Sequence, residues 1–232
     1  MDKLCKYSGW LFVVVVLFVS SGFVEGSVVS KDSLDGCVLV TGFEPFSIYD
    51  VNPTELICGE LNGTVIENYS VVSVVLPVNF SESMMVMIDA IAEYDPDVIM
   101  SLGMNGEAYV VQVEVLGRNA RKRPRSDPFW FLPLKLVSDG PWFQVSSLPT
   151  CAIVRAIRSE GIGVRHSLDA GTYVCNSVLY QTLEYLDRNS FDVPMGFLHI
   201  PALPSQEPQG MDLSVSVAAV QVAIGTVIDG LS

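Results

Sequence analysis

Short, almost wholly apolar segments that end in a glycine turn alternate along this chain with segments of helical spacing, and no other feature limits the fold so sharply. CVLVTGF from Cys37 is one such segment; NPTELICGELNG follows it, with Pro53 suited to a first helical turn and Gly63 to a stop. YSVVSVVLPV from Tyr69 precedes SESMMVMIDAIAEY from Ser81, a helix expected to open on a serine cap. PDVIMSLGMNG from Pro96 is a buried strand feeding a glycine turn. In VVQVEVLG, Val111, Val113 and Val115 share one strand face while Gln112 and Glu114 share the other. LPTCAIVRAIRSEGIG restores helical spacing, VRHSLDAG and GFLHIPALP form the last two strands, and MDLSVSVAAVQVAIGTVI forms a C-terminal helix. Apolar strands of this kind need helices over both faces of their sheet. The expected architecture is a single three-layer α/β/α sandwich with a mostly parallel, mixed central sheet.

The first residues do not belong to that pattern. Lys3 and Lys6 precede an unbroken apolar run from Trp10 to Val19, then small residues and a cleavage point before Ser27. This is the layout of a secretory signal. The run falls short of the about 20 apolar residues that a spanning helix needs. Residues 1–26 are therefore read as a secretory signal peptide, or an N-terminal anchor if uncleaved, and residues 27–232 as one α/β domain. The protein is expected to be exported, with a membrane as partner only through an uncleaved leader. Three sequons, at Asn62, Asn68 and Asn79, then become glycan acceptors wherever the source cell glycosylates exported proteins.

A formal net charge of −13 argues against nucleic acid as a partner, because neutralising phosphates requires clustered Lys and Arg. One basic cluster exists, at Arg118, Arg121, Lys122, Arg123 and Arg125, inside an irregular stretch from Arg118 to Leu148. A solvated loop is the favoured reading of it, over a contact surface for an acidic partner. Beyond the leader, Cys37, Cys58, Cys151 and Cys175 are too few for a disulfide framework in a domain of this size, and their spacing matches no zinc site.

In α/β folds, chemistry collects where strands end and helices begin. Cys175 stands at such a point, since Val178, Leu179, Leu183 and Leu186 recur after it at helical spacing. Unpaired N–H groups and the helix dipole there favour negative charge on sulfur and could hold an oxyanion. A small apolar residue packed under a helix fits the same position. His199 lies inside the apolar GFLHIPALP, where a hydrogen-bonded core histidine is the ordinary reading; His166 is a rival base. Glu114 is the lone charge of its strand, and either its face is exposed or it is paired. Together Cys175, His199 and Glu114 supply a nucleophile, a base and an orienter, the set that covalent acyl transfer needs.

The motifs around these residues resemble those of the pyroglutamyl peptidase I (pyrrolidone-carboxylate peptidase) family of cysteine peptidases, over essentially the whole chain from Cys37. TGFEPF followed by VNP is similar to the family's N-terminal signature, and PDVIMSLGMNG leading to VEVLGRN to the segment bearing its catalytic glutamate, here Glu114. AGTYVCN matches the nucleophile signature and places the cysteine at Cys175; GFLHIPALPSQ places the histidine at His199. The resemblance implies a cysteine exopeptidase that removes N-terminal pyroglutamate (5-oxoproline) from peptides through a Cys-His-Glu triad and a thioester, with no metal or organic cofactor. It also implies a homo-oligomer.

By the same resemblance Phe43 and Phe46 flank the lactam ring, Tyr173 and Val174 lie near it, Asn52 holds the first loop, and Met104 belongs to the pocket. The chain departs from the family at several points. Met104 stands where the family has Gln, Ala108 where it has Arg, and RKRPRSDPF from Arg121 has no clear counterpart of the family's ARIPDN. Loss of a polar reader in the pocket weakens lactam binding by about 1–3 kcal/mol. Two alternatives follow, the same scaffold acting on another small amide and a non-catalytic exported binding protein.

Overall fold

The computed structural model describes residues 34–231; the leader lies outside them. The chain runs β1 (Gly36–Phe43), α1 (Pro53–Leu61), β2 (Val65–Ile66), β3 (Tyr69–Leu76), α2 (Glu82–Tyr94), β4 (Val98–Asn105), β5 (Val111–Glu114) and β6 (Leu116–Arg118). It continues through β7 (Phe143–Val145), α3 (Thr150–Ser159), β8 (Val164–Ser167), α4 (Val174–Arg188), β9 (Met195–Pro201) and α5 (Leu213–Asp229). Seven strands form one sheet in the order β2-β3-β1-β4-β9-β5-β8, and β6 and β7 form a separate ribbon.

The sheet is mixed and mostly parallel, as expected. β1 runs parallel to β3 and β4, β4 to β9, and β5 to β8. Two junctions are antiparallel, β2 with β3 and β5 with β9. Side chains alternate across the pleat, so each central strand feeds two cores. Val38, Val40, Met100 and Leu198 face α1, α3 and α5, whereas Leu39, Ile99 and Phe197 face α2 and α4. That division makes the three-layer sandwich.

α5 is rich in valine, which favours strands, yet it is helical. Its buried residues Ser216, Ala219, Val220, Ala223, Ile224 and Val227 recur at helical spacing, and burying that stripe overrides the local preference. No helix among the described residues is long and apolar enough to cross a membrane.

The structure corrects three local expectations. Ser81 occupies the cap position of α2 without a side-chain cap bond; Asn79 Oδ1 instead accepts the N–H groups of Ser81 and Glu82, at 2.9 and 3.2 Å. VVQVEVLG is two strands, because at Val115 the chain leaves the main sheet for the β6–β7 ribbon. The stretch from Arg118 to Leu148 is not simply solvated. Asn119, 2% exposed, binds it from within, donating to the Val137 and Gly140 carbonyls and accepting from Leu136 and Val137 N–H. Four cations of its basic cluster are engaged too: Arg118 with Asp169, Arg123 with Asp127, Arg121 over the Phe80 ring and Arg125 over Trp130.

Candidate active site

The site begins with a row of residues across the sheet. His199 on β9 stands in register with Gly103 on β4 and with Gln112 on β5. Glu114 pairs with Phe197, two residues before His199, so Glu114 and His199 are diagonal neighbours on one face. Their side chains meet with His199 Nδ1 2.7 Å from Glu114 Oε1. Glu114 is fully buried and His199 only 6% exposed, so of the two readings left open for Glu114, an exposed face or a paired carboxylate, the paired one holds. Glu114 Oε2 has no hydrogen-bond partner among the described residues.

Cys175 reaches this row from the helix above it. α4 opens after Tyr173, whose extended backbone is followed by Val174 and Cys175 in the first turn, with no side-chain cap. First-turn N–H groups have no intrahelical acceptors, and the helix dipole adds positive potential at that end. Room for the sulfur comes from Gly103, where a Cβ would stand 2.8 Å from Cys175 Sγ and 2.7 Å from Phe197 Cζ. The bare glycine beside His199 therefore admits the thiol against the sheet. With Nδ1 held by Glu114, the other ring nitrogen is left for Cys175.

Electrostatics bind the three together. Burial opposes the charged form of His199, but hydrogen bonds to Cys175 and Glu114, and the charges they carry, outweigh it and raise the pKa from 6.5 to about 10. Cys58 is the contrasting thiol: burial, then the nearby Glu55 charge, push it up to about 12. Cys58, Cys151 and Cys175 are all free. His166, the rival base, is exposed on the edge strand β8, paired in register with Val113 and not lining either space beside Cys175.

Two spaces meet at Cys175. On one side is a narrow slot lined by Phe43, Phe46, Asn52, Met104, Tyr173 and Val174, together with Val78. All six pocket positions assigned from the sequence thus converge. No charged side chain lines the slot among the described residues. Asn52 is occupied internally: its Oδ1 caps α1 through Thr54 N–H at 3.0 Å, and its Nδ2 donates to the Glu44 carbonyl at 3.0 Å. It therefore holds the loop after β1. On the other side, a wider cleft of about 710 Å³ opens on both Cys175 and His199.

Several contributors escaped the sequence reading. Phe80 stands edge-on to Tyr173, with centroids 5.6 Å apart, and steadies the slot's rim. Buried Asn176 accepts from Arg118 N–H and donates to the Arg118 and Ala120 carbonyls, tying α4 to the chain after β6. Tyr49 and Glu207, which line the wider cleft, meet across 158 residues of sequence, with the hydroxyl donating at 2.8 Å. Only Asn176, inside AGTYVCN, carried a local signal.

The chain is similar in sequence and fold to known peptidases. A pyrrolidone-carboxylate peptidase from Enterobacter sp. is 39% identical over 171 residues, covering 73% of this chain and 79% of that protein. Pyrrolidone-carboxylate peptidase 1 from Caldanaerobacter subterraneus subsp. tengcongensis is 33% identical over 202 residues, covering 84% of this chain and 99% of that protein. The solved pyrrolidone carboxyl peptidase from Thermococcus litoralis superposes with a TM-score of 0.79 at 29% identity, covering 84% of this chain and 94% of that one. The family described as Pyroglutamyl peptidase matches residues 37–230, nearly everything between the leader and the C-terminus. By sequence and by fold, this chain belongs to the pyroglutamyl peptidase family.

Proposed function

We propose that the protein is a cysteine exopeptidase that hydrolyses the amide bond after an N-terminal pyroglutamyl residue. The observation that carries this reading is Cys175 in the first turn of α4, beside a His199 bonded to Glu114 and at the mouth of an uncharged slot. A pyroglutamyl residue is a neutral, flat lactam without a free amine. An apolar slot suits it, whereas an amine would call for a carboxylate there.

In the proposed mechanism the Cys175 thiolate, paired with the His199 imidazolium, attacks the pyroglutamyl carbonyl carbon. The carbonyl electrons move onto oxygen, where the first-turn N–H groups of α4 can receive the negative charge. Collapse breaks the C–N bond, and His199 gives its proton to the departing amine. Neutral His199 then takes a proton from water, whose oxygen attacks the thioester. The C–S bond breaks, 5-oxoproline leaves as the acid and loses its remaining proton to solvent, and the thiolate–imidazolium pair is restored. Glu114 keeps the ring oriented and balances its charge.

Export is part of the same proposal. Support comes from the charged, apolar and small-residue order of the leader and from the exposure of all three sequon asparagines. Outside the cell a free Cys175 is open to reversible oxidation, so activity should rise with reductant.

The test is a peptide beginning with pyroglutamate, run beside the same peptide beginning with proline and followed by mass spectrometry under reducing conditions. Release of 5-oxoproline from the first peptide alone is the expected result. Cleavage of both, or internal cleavage, would refute it. A second reading, hydrolysis of a different small amide, is favoured by Met104 standing in the slot, where a thioether offers a lactam almost no hydrogen bond, and would show as silence on both peptides with Cys175 still readily alkylated.

A further inference from the structure

We infer that the wider cleft beside Cys175 and His199 receives the leaving-group side of the peptide and selects a basic residue directly after the pyroglutamyl one. The inference rests on the pyroglutamyl peptidase reading above. The pyroglutamyl residue is N-terminal, so everything beyond the scissile bond lies on the other side of the sulfur from the slot. The space there is the cleft of about 710 Å³ that opens on Cys175 and His199. It can hold more than one residue of a peptide.

Apart from His199, whose charge is paired with Cys175 and Glu114, its charges are all negative. Glu107, Glu207 and Asp169 line it, and among the described residues no Lys or Arg does. Asp169 is offset by its ion pair with Arg118. Glu107 and Glu207 are in no ion pair among the described residues. Glu207 is fixed in place, because Tyr49 donates its hydroxyl to Oε1 at 2.8 Å. That hydrogen bond, with some burial and the carboxylate's charge, raises the Tyr49 pKa and keeps the phenol a donor. The turn bearing Glu107 comes to the same place: a Cβ on Gly106 would stand 2.7 Å from the Tyr49 hydroxyl. Two carboxylates without counter-ions thus flank one end of the cleft, around a tyrosine that holds one of them. A Lys or Arg side chain entering there gains attraction from both, and a Glu or Asp side chain is repelled by both.

The test measures kcat/KM for three blocked substrates, pyroglutamyl-lysyl, pyroglutamyl-alanyl and pyroglutamyl-glutamyl peptide amides, at about 20 mM and about 0.5 M salt. The expected order is lysyl, alanyl, glutamyl. The lysyl-to-glutamyl ratio should be on the order of 10 at low salt and fall toward about 2 at high salt, since exposed charges are screened. Glu107→Gln together with Glu207→Gln should bring the low-salt ratio to about 2. A wild-type ratio near one at low salt, with all three amides cleaved, would overturn this inference and leave the peptidase reading standing. If folded, reduced protein cleaves none of the three, the peptidase reading falls and this inference with it. The wild-type ratio and its salt dependence decide the matter even if the double variant fails to fold.

Discussion

His199 and Glu114 lie on antiparallel strands as diagonal neighbours, with Nδ1 and Oε1 2.7 Å apart in a part of the sheet almost closed to solvent. A carboxylate in that position orients the ring and stabilises its charged form; neutral glutamine of nearly the same shape can do only the first. Glu114→Gln should therefore lower kcat by about 10²- to 10⁴-fold on a pyroglutamyl amide with little change in KM. Steady-state kinetics on folded variant checks this, and a change confined to KM would speak against an orienting role.

Gly103 is in register with His199 and lies against the sulfur of Cys175. A methyl group there meets both Cys175 Sγ and the buried Phe197 ring at less than 3.0 Å, so one of them must move. Gly103→Ala is expected to cost about 1–3 kcal/mol of stability by overpacking. Its effect on kcat should exceed its effect on KM, because the displaced group is the nucleophile rather than the slot. Thermal melts and kinetics on the same preparation separate the two effects.

The raised pKa of His199 has a defined consequence for stability. The folded protein holds this proton more tightly than the unfolded chain, so the stabilisation is fully present below the ordinary value of 6.5. It is lost as pH rises from there through about 10. The stability advantage of wild type over His199→Gln, from urea midpoints, should be larger at about pH 6 than at about pH 10. Removing one of the groups that raise the pKa should lower it, so His199 in Cys175→Ala should titrate below its wild-type value by NMR.

Met104 lines both the slot and the wider cleft and is 6% exposed. A thioether offers the lactam almost no hydrogen bond. Met104→Gln should lower KM for a pyroglutamyl amide by about 5- to 10-fold, the equivalent of about 1–1.4 kcal/mol, with kcat changed less. An unchanged KM would mean that lactam selectivity comes wholly from the backbone and the aromatic walls.

How far the sequence could be read follows from how local each signal is. Cys175 was legible because a helix start is a local pattern and the motif around it is specific. The slot residues were legible because TGFEPF, VNP and AGTYVCN each hold several of them in a short span. The burial of Glu114 was not legible. Alternation in VVQVEV reads as a half-exposed strand, and only His199 on β9, 85 residues away, supplies the partner that a buried carboxylate requires. Asn79 serves the start of α2 where Ser81 was expected to, because an Asn two residues earlier accepts the N–H groups of Ser81 and Glu82, and a side chain ahead of the cap position leaves no helical-spacing signal. Tyr49 and Glu207 come from loops far apart in the chain, where no periodicity foretells a contact.

Cys175 as nucleophile in pyroglutamyl transfer is the central claim, and one comparison tests it most directly. Wild type and Cys175→Ala are assayed under reductant for release of a fluorophore from a pyroglutamyl amide, with a prolyl amide as control. The account predicts release from the pyroglutamyl amide by wild type only, with the variant slower by about 10⁴-fold or more and still folded. Comparable turnover by the alanine variant, or silence from folded and reduced wild type, would contradict it.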